Sequence, residues 1–113
     1  MSTGGITANS AWTLRNSTYT YLTTNFSSND ASRFYLTNSD SQGGPITNRT
    51  RTYLESPTFN LTGYTSASLS FWHYLRRLAG NIARVEASID NGATWTIMNS
   101  YIAPYGGASS FVN

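Results

Sequence analysis

Leu69-Ser70-Phe71-Trp72-His73-Tyr74-Leu75-Arg76 and, after Gly80-Asn81, Arg84-Val85-Glu86-Ala87-Ser88-Ile89 decide the fold class. Apolar and polar side chains alternate here with a period of two, the mark of a strand with one face in a core. In the first stretch Leu69, Phe71, His73 and Leu75 share one side, and Ser70, Trp72, Tyr74 and Arg76 the other. In the second, Val85, Ala87 and Ile89 face one way, and Arg84, Glu86 and Ser88 the opposite way. If the two pair as a hairpin, their apolar sets share the core face, and Trp72, Tyr74, Arg76, Arg84 and Glu86 gather on the other.

Working outward, the same texture continues. Further strands are expected at Trp12–Arg15, Tyr19–Thr24, Arg33–Thr37, Thr52–Glu55, Thr58–Leu61, Ser68–Leu78, Arg84–Ile89, Thr94–Tyr101 and Ser110–Val112. Between them lie turn formers: Ser27-Ser28-Asn29-Asp30, Asn38 to Pro45, Thr62-Gly63-Tyr64-Thr65, Ala79-Gly80-Asn81 and Pro104 to Gly107. Gly supplies positive φ, and Asn and Asp bond their own backbone, so these are turns with a mechanism. No segment has a helical period. The expected fold is all-β, an antiparallel sandwich of jelly-roll type. It is expected as a single domain over residues 11–113, preceded by a flexible segment over residues 1–10.

Bulk chemistry narrows the function. The 113 residues suit one domain. Ser, Thr and Asn fill 43 positions, only 11% of the chain is charged, and all seven basic residues are Arg. The aromatic content of 14% argues for a packed core over disorder. Without Cys there is no disulfide, zinc–thiolate site or cysteine nucleophile. The net charge of +2 is spread thinly, and the pairs Arg49/Arg51 and Arg76/Arg77 make no continuous basic stripe. Nucleic acid is therefore not an expected partner. No apolar run approaches the roughly 18 residues of a membrane-spanning helix, and no basic-then-apolar leader opens the chain.

One motif is sharp. Ser88-Ile89-Asp90-Asn91-Gly92-Ala93-Thr94-Trp95 reads S-x-D-x-G-x-T-W and resembles the Asp-box, a β-hairpin signature best known from bacterial sialidases. Its expected mechanics are local. Gly92 permits positive φ, Asp90 accepts backbone N–H groups across the loop, and Trp95 packs beneath it. Ser88, Asp90, Gly92 and Trp95 are thus structural, and Asp90 is not a catalytic candidate. A propeller blade repeat is excluded by the single copy and the short chain.

A wider pattern runs from Arg33 onward. It comprises Phe34-Tyr35-Leu36-Thr37-Asn38-Ser39-Asp40, Leu54-Glu55-Ser56-Pro57-Thr58-Phe59-Asn60-Leu61-Thr62-Gly63-Tyr64, Ala67 to Tyr74, and Val85 to Trp95. This is similar to the MAM-like, choice-of-anchor jelly-roll accessory modules of secreted bacterial proteins, especially from Bacteroidetes. The resemblance implies a β-sandwich appended to proteases, glycosidases or adhesins, placed outside the cell or at its surface. It carries over no catalytic residues. Such modules continue past the Asp-box hairpin, so the pattern predicts a sandwich lacking its C-terminal strands. The sheet edge beside Ser110–Val112 is then expected to accept a strand from another chain.

The remaining candidates are few. His73, the sole histidine, falls on the apolar face and is expected as a hydrogen-bonded core residue. One histidine and no cysteine give a metal site or a Ser-His-Asp triad little to build on. Of the five acids, Asp90 is committed to its turn and Glu86 lies near Arg84 and Arg76, so a glycosidase pair is not expected. Asp40, Asp30 and Glu55 are the candidate ligands for a structural Ca²⁺, and no other cofactor is expected. Trp72, Tyr74, Arg76, Arg84 and Glu86 form the best binding surface, since aromatic faces stack on sugar rings while Arg and Glu bond hydroxyls. The competing reading is that loops cover this face and Trp72 is packing. The sequence alone thus points to a non-catalytic adhesion or carbohydrate-binding module whose partner is a glycan or cell-surface protein. The runner-up is an assembly module acting through an exposed sheet edge.

Overall fold

The computed structural model describes residues 2–3, 11–38, 51–76, 80–108 and 110–113. The described residues are all-β, with no helix among them. The strands are β1 (Ser2–Thr3), β2 (Thr13–Arg15), β3 (Tyr19–Tyr21), β4 (Thr24–Phe26), β5 (Phe34–Leu36), β6 (Arg51–Thr52), β7 (Ala83–Ala87) and β8 (Thr96–Tyr101). They form four antiparallel two-stranded ladders, β1–β6, β2–β5, β3–β4 and β7–β8. The chain divides into two compact units, Met1–Pro57 and Thr58–Asn113.

In the first unit, β2 and β5 pair in the register Thr13↔Leu36, Leu14↔Tyr35 and Arg15↔Phe34. Phe34 is 8% exposed and is the buried large hydrophobic among the described residues. The stretch Tyr19–Thr24, expected as one strand, is instead the start of a tight hairpin: β3 and β4 pair with Tyr21↔Thr24, and Leu22-Thr23 turn the corner. Two contacts explain the preference. Thr20 Oγ1 donates to Asn25 Oδ1 at 2.7 Å, and the rings of Tyr19 and Phe26 lie 6.3 Å apart across the strands. The following turn forms where Asp30 was expected to bond its own backbone, with Ser32 N donating to Asp30 Oδ1 at 3.0 Å. Of the 1–10 segment, Ser2 and Thr3 make β1, and the rest lies outside the described residues.

In the second unit, β7 and β8 form the longest ladder, running from Ala83↔Tyr101 to Ala87↔Thr96. The register slips between Val85↔Asn99 and Glu86↔Ile97, leaving Met98 as an extra residue on β8. Of the run expected as a long strand over Ser68–Leu78, the part up to Arg76 is described, and it makes two bridges, His73↔Val112 and Leu75↔Tyr105. Each is a doubly bonded pair: His73 N donates to Val112 O at 2.7 Å and Val112 N to His73 O at 2.9 Å, and Leu75 and Tyr105 exchange bonds of 2.8 and 3.0 Å. Among the described residues the conditional hairpin between this run and Arg84–Ile89 is not formed: β7 pairs with β8, and His73 and Leu75 bridge to the C-terminal segment.

The expected facing of the Arg84–Ile89 strand holds only to Val85. Beyond it Ala87 is exposed, Glu86 is half-buried and Ile89 is fully exposed. The slip at Met98 and the early start of the turn at Ser88 break the alternation. Thr58–Leu61 forms no strand. Its chain instead enters a turn in which Tyr64 N donates to Leu61 O at 3.1 Å around Gly63, whose φ of 87° needs a glycine.

Candidate functional site

The loop joining β7 to β8 is built by its own side chains. Asn91 and Gly92 have φ of 55° and 84°, and Ala93 N donates to Asp90 O at 3.3 Å. Two successive positive φ values are what a type I′ turn demands, and Asn-Gly adopts them at least cost. Asp90 then ties the turn to the incoming strand. Its Oδ1 accepts from Ser88 Oγ at 2.7 Å and from Thr94 N at 2.8 Å, and its Oδ2 from Thr94 Oγ1 at 2.6 Å. Ser88 Oγ in turn accepts from Gly92 N at 2.8 Å. Trp95 Nε1 donates to Gly92 O at 3.1 Å, which lays the indole against the loop. The bonds from the Thr94 hydroxyl and amide, with that from Ser88, hold the Asp90 carboxyl down at about 2. Every oxygen of this carboxylate is occupied by the loop, so the motif is a clasp and offers no free acid.

The candidate binding surface is singled out by strand alternation. Trp72 is 53% exposed, on a segment whose neighbours His73 and Leu75 are fixed by the bridges to Val112 and Tyr105. Tyr74 is half-buried, and its ring stacks on Phe111 at 6.3 Å with 16° between the planes. Arg76 and Arg84 are exposed and Glu86 is half-buried. The structure joins Tyr74 to the C-terminal segment and sets Arg84 and Glu86 opposite Ser100 and Ile97 on β8. Among the described residues no ladder carries Arg84 and Glu86 alongside Trp72 and Tyr74, so the five residues do not form one strand-to-strand face there.

His73 corrects its expectation in part. It is packed in an aromatic cluster, with ring centroids 5.5 Å from Phe71, 4.8 Å from Tyr101 and 5.8 Å from Tyr105. Yet both ring nitrogens are buried without a hydrogen-bond partner. Aromatic contact, not hydrogen bonding, is what places it.

Of the candidate calcium ligands, Asp40 lies outside the described residues, as do Arg49, Arg77 and residues 39–45 of the loop that ends at Pro45. Asp30 spends Oδ1 on Ser32 N, and the Ser32 bonds hold its carboxyl below the ordinary aspartate range. Glu55 is exposed. Among the described residues no three His, Cys, Asp or Glu side chains gather as a metal site.

A further feature escaped sequence reasoning. Leu14, Arg15, Asn16, Thr18, Tyr19 and Arg33 line a cleft of about 280 Å³ at one end of the β2–β5 ladder. Arg15 and Arg33 are far apart in the chain, and only the β2–β5 register reveals that one step beyond Arg15↔Phe34 sets Asn16 opposite Arg33. No local motif signals this.

Comparison with known protein families, with curated proteins and with solved structures finds no match to this chain.

Proposed function

We propose that the chain is a non-catalytic adhesion or carbohydrate-binding module of a multidomain secreted bacterial protein, built as a jelly-roll β-sandwich. The all-β content and the resemblance of Leu54–Tyr64, Ala67–Tyr74 and Val85–Trp95 to accessory jelly-roll modules support this reading. The observation that carries it is Trp72. Its ring is 53% exposed while the backbone on its C-terminal side is pinned at His73 and Leu75, so the indole is an outward-facing platform on a fixed segment. Such a platform stacks on the apolar face of a sugar ring with little entropy left to lose on binding.

A glycan array probed with the wild-type chain and with Trp72→Ala tests it. Binding by the wild type, reduced at least tenfold in the variant, is the expected result. No wild-type binding, or equal binding by both proteins, removes the reading.

A second reading, an assembly module, draws on a different observation. On β8, Ile97 is 50% and Met98 66% exposed, in a ladder that is two-stranded among the described residues. Open edges with apolar side chains invite strand addition from another chain.

A further inference from the structure

We propose that the cleft lined by Arg15 and Arg33 is a binding site for a small hydroxylated carboxylate of the sugar-acid class. It lies within the Met1–Pro57 unit and does not rest on the Trp72 reading, whose residues belong to the other unit.

The lining is cationic and polar. Arg15, Arg33, Tyr19, Thr18 and Asn16 line the cleft, with Leu14 as its apolar member. Among the described residues neither arginine has a carboxylate partner; Arg33 is engaged by Asn16, and Arg15 by the Tyr19 ring. Two like charges lining one small cleft repel each other, and an anion between them relieves that repulsion.

Both side chains are already held. The Arg15 guanidinium carbon sits 4.4 Å from the Tyr19 ring centroid, a cation–π contact, and Tyr19 is itself backed by Phe26 at 6.3 Å. Arg33 Nε donates to Asn16 Oδ1 at 3.2 Å, which leaves its terminal nitrogens for another acceptor. Arg15 Nε is a buried donor with no partner. A buried donor left unmade is costly, and a small turn of the guanidinium toward a ligand oxygen in the cleft would satisfy it. Arginines fixed before binding lose little on complex formation, and their forks match a carboxylate with two parallel bonds.

Size and polarity select the rest of the ligand. A volume of about 280 Å³ falls just below the roughly 300–1,000 Å³ typical of small-molecule sites, which suits a ligand of single-ring size. Thr18, Tyr19 and Asn16 provide neutral donors and acceptors that a bare ion cannot use but ring hydroxyls can.

The test is an amide and arginine side-chain ¹⁵N NMR titration of the whole chain with D-glucuronate. Glucose, acetate and inorganic phosphate serve as comparators. The expected result is a saturable shift of the Arg15 and Arg33 Nε–H resonances with glucuronate, weakened by salt. Glucose and acetate are expected to bind at least tenfold more weakly, and Arg15→Gln to lose at least tenfold for glucuronate. No saturable glucuronate shift at these resonances overturns the proposal, as does equal binding of acetate, which marks a simple anion site. Tighter binding of phosphate than of glucuronate overturns the carboxylate assignment. Because the wild-type resonances report the site directly, the result stands even where the variant fails to fold. Shifts confined to residues around Trp72 overturn this proposal while leaving the glycan-array reading intact.

Discussion

Asp90 shows how one side chain can hold a loop. Its two carboxylate oxygens take three hydrogen bonds, two from Thr94 and one from Ser88, and all three favour the charged form. The folded-state value of about 2 lies below the ordinary 3.8, so the loop is more stable with Asp90 ionised. That contribution is fully present above pH 4 and is lost as the pH falls through 2, because the unfolded chain takes up its proton first. Asp90→Asn keeps one acceptor oxygen and removes the charge. We expect the wild type to lose thermal stability between pH 4 and pH 2, and Asp90→Asn to melt lower at pH 7 with a flatter profile across that window. Circular-dichroism melts across this range check it; parallel profiles for the two proteins refute the clasp. The sequence made this residue legible because every participant lies within the eight positions Ser88 to Trp95, where spacing alone dictates geometry.

At the scale of elements, legibility follows how local the determining interactions are. The turns at Asp30, Gly63 and Asn91-Gly92 were readable from residue type, since each needs only its own backbone and side chain. The β3–β4 hairpin was not. Its turn is Leu22-Thr23, which carries no turn chemistry, and Leu22 has φ of 52° with its side chain 81% exposed. What pays for that conformation is cross-strand: the Thr20–Asn25 bond and the Tyr19–Phe26 contact. A left-handed leucine costs roughly 1–2 kcal/mol, and asparagine tolerates this region far better. Because Leu22 buries little, Leu22→Asn is expected to stabilise the chain by about 0.5–1 kcal/mol. Urea unfolding measures it, as a higher midpoint at an unchanged slope. A lower midpoint means that the leucine makes contacts worth more than its strain. The same limit hid the Arg15/Arg33 cleft and the slip at Met98, both of which depend on register between distant segments.

At the scale of the molecule, alternation correctly indicated an all-β chain, but it did not say which strands would pair. His73 and Leu75 bridge to Val112 and Tyr105, not to the strand that follows them, and β7 turns to β8. The apolar residues counted toward a core were therefore not all covered: Leu69, Phe71 and Ile89 stay exposed, as do Ile97, Met98 and Ile102. Exposed apolar side chains along an unpartnered edge are the usual signature of a surface that meets another chain. Met98 is the residue to probe. As the extra residue of the β8 bulge it has no opposite number on β7, so replacing it disturbs the ladder least, and it is 66% exposed. Lysine at a strand edge opposes pairing with another chain by placing an unpartnered charge where an incoming strand must dock. The wild type is therefore expected to gain mass with concentration in multi-angle light scattering, and Met98→Lys to remain monomeric over the same range with an unchanged circular-dichroism spectrum. An association through apolar side chains and backbone hydrogen bonds is expected to persist in added salt. A wild type that stays monomeric at every concentration removes the assembly reading and leaves the exposed Trp72 as the stronger guide to what this chain meets.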